Sequence, residues 1–160
     1  MTPEELNKIR NIVGALTVYN NSAKALQAVI QALDAQTRDT GGPDINSSFI
    51  SVLILYAFNC EVGLKALCKE TGVRYHREHN LKNLYNLLPG DVQNQIKEGF
   101  KSQDFKDNFD TYLNDNKSVF EKWRYFFDEN PGHGNLSFLH ELSDSITNIA
   151  RDKFNNLENS

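Results

Sequence analysis

Between Ile9 and Leu33, apolar residues recur at alternating three- and four-residue steps: Ile9, Ile12, Leu16, Tyr19, Ala23, Leu26, Ile30 and Leu33. That period lays all of them on one stripe of an α-helix and fits no strand, where the repeat is two. Thr2-Pro3-Glu4-Glu5 is a matching start. Thr2 suits the N-cap, Pro3 the first helical position and Glu5 the capping box. Gly41-Gly42-Pro43 is the stop. A long helix with one apolar stripe has to cover it against other elements, so the stripe commits the chain to helix-on-helix packing.

The rest of the sequence supplies the partners. A second helix is expected from about Ser47 to Gly72, with Phe49, Val52, Leu53, Tyr56, Ala57, Cys60, Leu64 and Leu67 on so broad a face that it should be central. A loop follows, then a short helix with Leu81, Leu84, Leu87 and Leu88 as its core residues. Asp91 suits the cap of another, with Val92, Ile96 and Phe100 inward. Phe109, Tyr112, Leu113, Phe120 and Trp123 predict one further helix, interruptible near Asn114-Asp115-Asn116. After the loop Asn130–Asn135, Leu139, Leu142, Ile146, Ile149 and Phe154 mark a last helix, with NNLENS expected to fray. No alternating pattern of strand type runs beyond a few residues. The expectation is an all-α fold: an antiparallel helical bundle of four main helices plus one or two short ones. It spans residues 1–155 as a single domain with a tail at 156–160.

Charge narrows the partners. The chain carries 17 Lys and Arg against 21 Asp and Glu, a net charge of −4. Binding to nucleic acid then needs a local basic patch working against the global sign. No run approaches the roughly 18 apolar residues of a membrane span, and MTPEELNKIR is acidic and polar where a signal peptide is basic then apolar. A cytoplasmic protein without a membrane anchor is expected. Cys60 and Cys68 fall on one helix, about 12 Å apart along its axis at ~1.5 Å per residue, too far for a disulfide. Reduced, buried thiols are the expectation.

The stretch RYHREHNLKNLYNLLP, Arg74 to Pro89, concentrates the candidate chemistry. Lys65, Lys69, Arg74, Arg77 and Lys82 surround His76 and His79, opposed by Glu61, Glu70 and Glu78. Metal-independent RNA cleavage needs a base for the ribose 2′-hydroxyl and a cation for the charge that builds on phosphate. Histidine suits the first task and the arginine fork the second. Arg74 and His79, with four residues between them, carry the two side-chain types. The structural reading of His79 is that it closes the loop, hydrogen-bonding a neighbouring backbone group or Glu61. A zinc site from His76, His79, Glu78 and His133 is conceivable, but nothing in the spacing marks it, and neither a metal nor a cofactor is expected. The second candidate is FEKWRYFFDE, in which Arg124, among aromatics, can stack on a ring, pair with Asp128 or reach a buried carboxylate such as Glu61.

Taken together, EVGLKALCKETGVRYHREHNLKNLYNLLP and FEKWRYFFDE resemble prokaryotic HEPN-like (higher eukaryotes and prokaryotes nucleotide-binding) proteins. The first resembles that family's middle helix and following loop: a glutamate, a lysine one turn on, then a His-x-Leu step into a helix, here Glu61, Lys65, His79 and Leu81. The second resembles a Trp-Arg-Tyr step on a later helix, here Trp123, Arg124 and Tyr125. The resemblance implies an antiparallel bundle, a homodimer, and RNA-related roles in defence or toxin–antitoxin systems. Active members are metal-independent endoribonucleases with an Arg, a polar residue and then a His on a late helix. Here Arg124 is followed by Tyr125 and no His lies within six residues. The expected function is a homodimeric module that binds RNA, a nucleotide or a protein partner without clear catalysis, through Glu61, Lys65, His79, Arg124 and Tyr125. The alternative is a divergent endoribonuclease, with His79 as base and Arg124 or Arg74 as phosphate clamp.

Overall fold

The computed structural model describes residues 45–123, 125 and 134–158, together with Pro3, Asn7, Gly14, Thr17, Asn21, Lys24, Ala25, Ala28, Val29, Gln31 and Ala32. Each of the early positions is helical. The apolar stripe from Ile9 to Leu33 lies outside the described residues. So do Arg124, Asp128 and His133. Among the described residues the chain is all-α, with no strand. Its helices are α1 (Ile45–Glu70), α2 (Leu81–Leu87), α3 (Gly90–Glu98), α4 (Gln103–Asp107), α5 (Phe109–Asn116), α6 (Val119–Trp123) and α7 (Leu136–Glu158).

Helix α1 is central, as its broad apolar face requires. Leu53, Ala57, Cys60, Leu64 and Leu67 follow the three-four rhythm and are all fully buried. Opposite them, Leu139, Leu142, Ile146 and Ala150 do the same on α7. The two long helices run in the same direction. Leu53 sits over Gly134, where a Cβ would come within 2.9 Å of Leu53 Cδ2. Further along, Asn59 Nδ2 donates to Ser143 Oγ at 2.6 Å, and Lys153 Nζ meets Glu70 Oε2 at 2.9 Å. The short helices α2 to α6 carry the chain back between these parallel elements. The stretch Ile50–Glu70 is also long and apolar enough to cross a membrane by length and composition, and half of it is buried within the fold.

Phe138 on α7 organises the far side of the core. Phe100, Phe105, Phe109 and Tyr112 all place their rings 5.3–5.7 Å from it. This is the spacing of favourable aromatic contact, and it ties α4 and α5 to α7. Polar clasps fix the short helices. Glu141 Oε2 accepts the backbone N–H of Lys101 and Ser102, and Ser145 Oγ donates to the Ile96 carbonyl at 2.7 Å.

The structure corrects several boundaries. A short helix not anticipated from the sequence lies between Phe100 and Phe109: Ser102 Oγ caps Phe105 N–H and starts α4. The helix expected over Phe109–Trp123, interruptible near Asn114-Asp115-Asn116, is interrupted directly after that point, at Lys117-Ser118, into α5 and α6. Asp91 is not a cap; α3 begins after Pro89 with no side-chain cap, and Asp91 lies in its first turn, where a carboxylate suits the helix dipole. Leu87 is exposed rather than core. Helix α7 continues to Glu158, so the tail expected at 156–160 is helical through its first three residues.

Candidate functional site

The end of α1 is set by Gly72, the one glycine of the described residues with positive φ (76°). Val73 N–H returns to the Cys68 carbonyl at 2.8 Å and Gly72 N–H to that of Lys69 at 3.2 Å. This double closure is the Schellman motif, and it turns the chain sharply off the helix. The loop then has to deliver His79 to the start of α2. Arg77 adopts φ 49°, unusual for a non-glycine residue. Glu78 closes the turn: its Oε1 accepts the backbone N–H of His79 (3.0 Å) and Asn80 (2.8 Å), and its Oε2 accepts from Asn83 Nδ2 at 3.0 Å. These bonds, the Asn80 N–H first, hold the Glu78 carboxyl below the usual carboxylate range. Asn80 caps α2 through Asn83 N–H, and Leu81 N–H donates to the Lys117 carbonyl at 2.9 Å. His79 is thus held between a clasped turn and a capped helix.

From that position its ring reaches back to α1. His79 Nδ1 lies 2.8 Å from Glu61 Oε1, and Lys65 Nζ, one turn further along α1, donates to the same oxygen at 2.7 Å. Since Oε1 already accepts from an ammonium group, the network assigns the proton to Nδ1 and leaves Nε2 with its lone pair when the ring is neutral. The Glu61 side chain is 5% exposed, Lys65 20% and His79 46%. A buried carboxylate therefore anchors two cationic or cationisable groups that reach water. Glu61 Oε2 is buried and has no hydrogen-bond partner among the described residues. The Tyr75 ring lies 5.8 Å from Lys65 Nζ, within cation–π range.

Of the residues singled out by sequence, the structure brings together Glu61, Lys65 and His79. Arg74 and His76 are exposed, and no hydrogen bond or ion pair joins Arg74 to Glu61, Lys65 or His79 among the described residues. Tyr125 is 57% exposed just beyond α6. Arg124 lies outside the described residues. Glu78, considered as a ligand, is instead the clasp of the loop. No cluster of three or more metal-ligating side chains occurs among the described residues. Sequence reasoning missed two asparagines. Asn114 Oδ1 accepts from both Lys82 (3.4 Å) and Lys117 (3.1 Å), and buried Asn116 joins α5 to α7. Both sit in a polar run whose composition signals a helix break and nothing more.

A pocket of about 420 Å³ opens between the end of α5 and the start of α7, lined by Tyr112, Asp115, Asn116, Gly134, Asn135 and Leu136 among others. It contains none of the Glu61–Lys65–His79 group. The chain was compared with protein-family models, with curated proteins and with solved structures, and none of the three gives a match.

Proposed function

We propose that the chain is a HEPN-like helical module that binds single-stranded RNA, acts as a homodimer and belongs to the defence or toxin–antitoxin type. The observation that carries this reading is the 2.8 Å contact of His79 with buried Glu61, which fixes a half-exposed imidazole beside Lys65. A histidine oriented by a carboxylate presents one defined nitrogen to solvent, a donor to phosphate when the ring is protonated. Exposed Lys69, Arg74 and Arg77, close to it in sequence, supply the local positive charge that an acidic chain needs for RNA. The homodimer draws support from Phe58, 44% exposed on α1 among half-buried Ile54, Leu55 and Val62.

The test is fluorescence anisotropy with labelled single-stranded RNA of mixed sequence. Wild-type protein is expected to bind, and His79→Ala to bind roughly tenfold more weakly, the worth of one charge-assisted hydrogen bond. Equal affinity in both, or no binding by wild type, ends the reading.

One observation favours a second reading, a metal-independent endoribonuclease. A carboxylate on Nδ1–H leaves Nε2 as proton acceptor, the arrangement a general base requires. Incubation with mixed RNA in EDTA separates the readings. Cleavage by wild type and none by His79→Ala supports the enzyme; intact RNA in both supports the binding module.

A further inference from the structure

We propose that Lys82 and Lys117 form a phosphate subsite, which on the RNA reading above holds a phosphate of the strand next to the one met by His79. Lys82 on α2 and Lys117 at the end of α5 both donate to Asn114 Oδ1, at 3.4 and 3.1 Å. Their ammonium nitrogens can therefore be no farther apart than the sum of those two distances. The oxygen between them is neutral. Like charges so placed repel, and an anion bridging them removes the repulsion. The arrangement is not two loose surface chains. Both lysines are half-buried, and the Leu81 N–H to Lys117 carbonyl bond locks their backbones together.

Three nearby carboxylates are engaged elsewhere. Glu61 holds Lys65 and His79, Glu70 faces Lys153, and Glu78 accepts from two backbone N–H groups and Asn83. Asp115, adjacent to Asn114, lines the pocket against α7. Among the described residues neither Lys82 nor Lys117 forms an ion pair. From Lys65 to Lys82 there are five Lys and Arg against Glu70 and Glu78, on a chain whose net charge is −4. The basic stretch is local in sequence, and Lys82 stands three residues from His79 across the capped start of α2. Two ammonium groups this close match separate oxygens of one phosphate, which lysine binds as a point charge.

The experiment compares wild type with the double variant Lys82→Gln/Lys117→Gln and the charge-retaining Lys82→Arg/Lys117→Arg. Binding of a labelled single-stranded RNA is followed across a salt series. A parallel arm titrates inorganic phosphate against ¹⁵N-labelled protein and follows the Asn114 side-chain amide. Losing one phosphate contact should weaken RNA binding roughly tenfold at low salt and make the log–log salt slope shallower by about 0.7. The arginine variant should retain both affinity and slope. Should the glutamine variant match wild type in affinity and slope, the subsite is overturned while the RNA reading stands. If wild type binds no RNA but phosphate shifts the Asn114 amide in wild type and not in the glutamine variant, the subsite stands and the RNA reading falls. Absence of both RNA binding and the phosphate shift overturns both.

Discussion

Glu61 and His79, eighteen residues apart in sequence, meet at 2.8 Å because Gly72 turns the chain off α1 and Asn80 restarts it as α2. The carboxylate is buried and the ring reaches solvent, so Glu61 dictates the tautomer of His79. In wild type at a pH where the ring is neutral, the proton should reside on Nδ1. In Glu61→Gln the side-chain amide can donate as well as accept, and the population of the Nε2–H tautomer should rise. Long-range ¹H–¹⁵N spectra of the imidazole report this directly. An Nε2–H tautomer in wild type would contradict the geometry. Glu61→Ala should also cost stability. The freed Lys65 and His79 side chains reach water, so the loss should fall near 1–2 kcal/mol rather than the ~3–5 kcal/mol of a fully buried pair.

The clasp formed by Glu78 has a pH signature. Its folded carboxyl titrates below the usual range, chiefly because it accepts the Asn80 N–H. A depressed carboxyl contributes stability that is complete above the unfolded value, about 4.3, and fades as pH falls through the folded one. Glu78→Gln should therefore lower the melting temperature at pH 7. The gap to wild type should narrow as the solution is taken below pH 4. A gap that stays constant down to the most acid point would mean that the charge on Glu78 is not what holds the turn.

How much of this was legible beforehand depends on range. The core stripes of α1 and α7 were readable because the three-four rhythm of Leu53–Leu67 and Leu139–Ile146 is local. His79 beside Glu61 was readable as one of two closures for the loop, since a histidine next to an Asn-Leu helix start needs a partner. The direction of α7 relative to α1 was not, because it depends on the path of five short helices. Nor was Asn114. Its place between Lys82 and Lys117 arises where α2 meets α5, and an asparagine in a polar run carries no trace of a partner 32 residues away. Short helices such as α4 are hard to see for the same reason. Five residues hold little period, and the signal is one cap, Ser102.

Both cysteines should be silent in the folded protein. Cys60 is fully buried with its thiol toward the Leu139 carbonyl, and burial first, the Asp144 charge second, pushes its pKa far up. Burial raises Cys68 to about 11. Since the thiolate is the reactive form, a disulfide reagent at pH 8 should titrate no thiol in native protein and both in denaturant. Rapid reaction of either in the native state would show that α1 opens toward α2 or α7.

Phe58 tests the proposed homodimer. Its ring lies 5.0 Å from Phe120 yet is 44% exposed. Contact with a second copy would bury that ring, and a carboxylate at the same place would not tolerate it. Sedimentation should find wild type as a dimer and Phe58→Glu as a folded monomer. A wild-type monomer at all concentrations, or a dimer that survives the substitution, removes this surface from consideration.

Asn116 is the residue on which the start of α7 depends. It is 1% exposed. Its Nδ2 donates to the Tyr112 carbonyl at 2.8 Å, and its Oδ1 accepts the backbone N–H of Asn135 at 2.7 Å. Asn135 in turn caps α7 by accepting Phe138 N–H at 2.9 Å. One buried amide thus positions the cap that starts the 23-residue helix α7. Asn116→Ala strands the Asn135 N–H away from its acceptor, which should cost about 1–3 kcal/mol in urea unfolding. Exchange of the Asn135 amide should quicken, while amides in the middle of α7 keep their protection. Asn116→Asp keeps the acceptor but loses the donor, so it should restore the slow exchange of Asn135 without restoring all of the stability. If Asn116→Ala unfolds within about 0.5 kcal/mol of wild type, the size expected of an ordinary surface change, α7 does not depend on this bond.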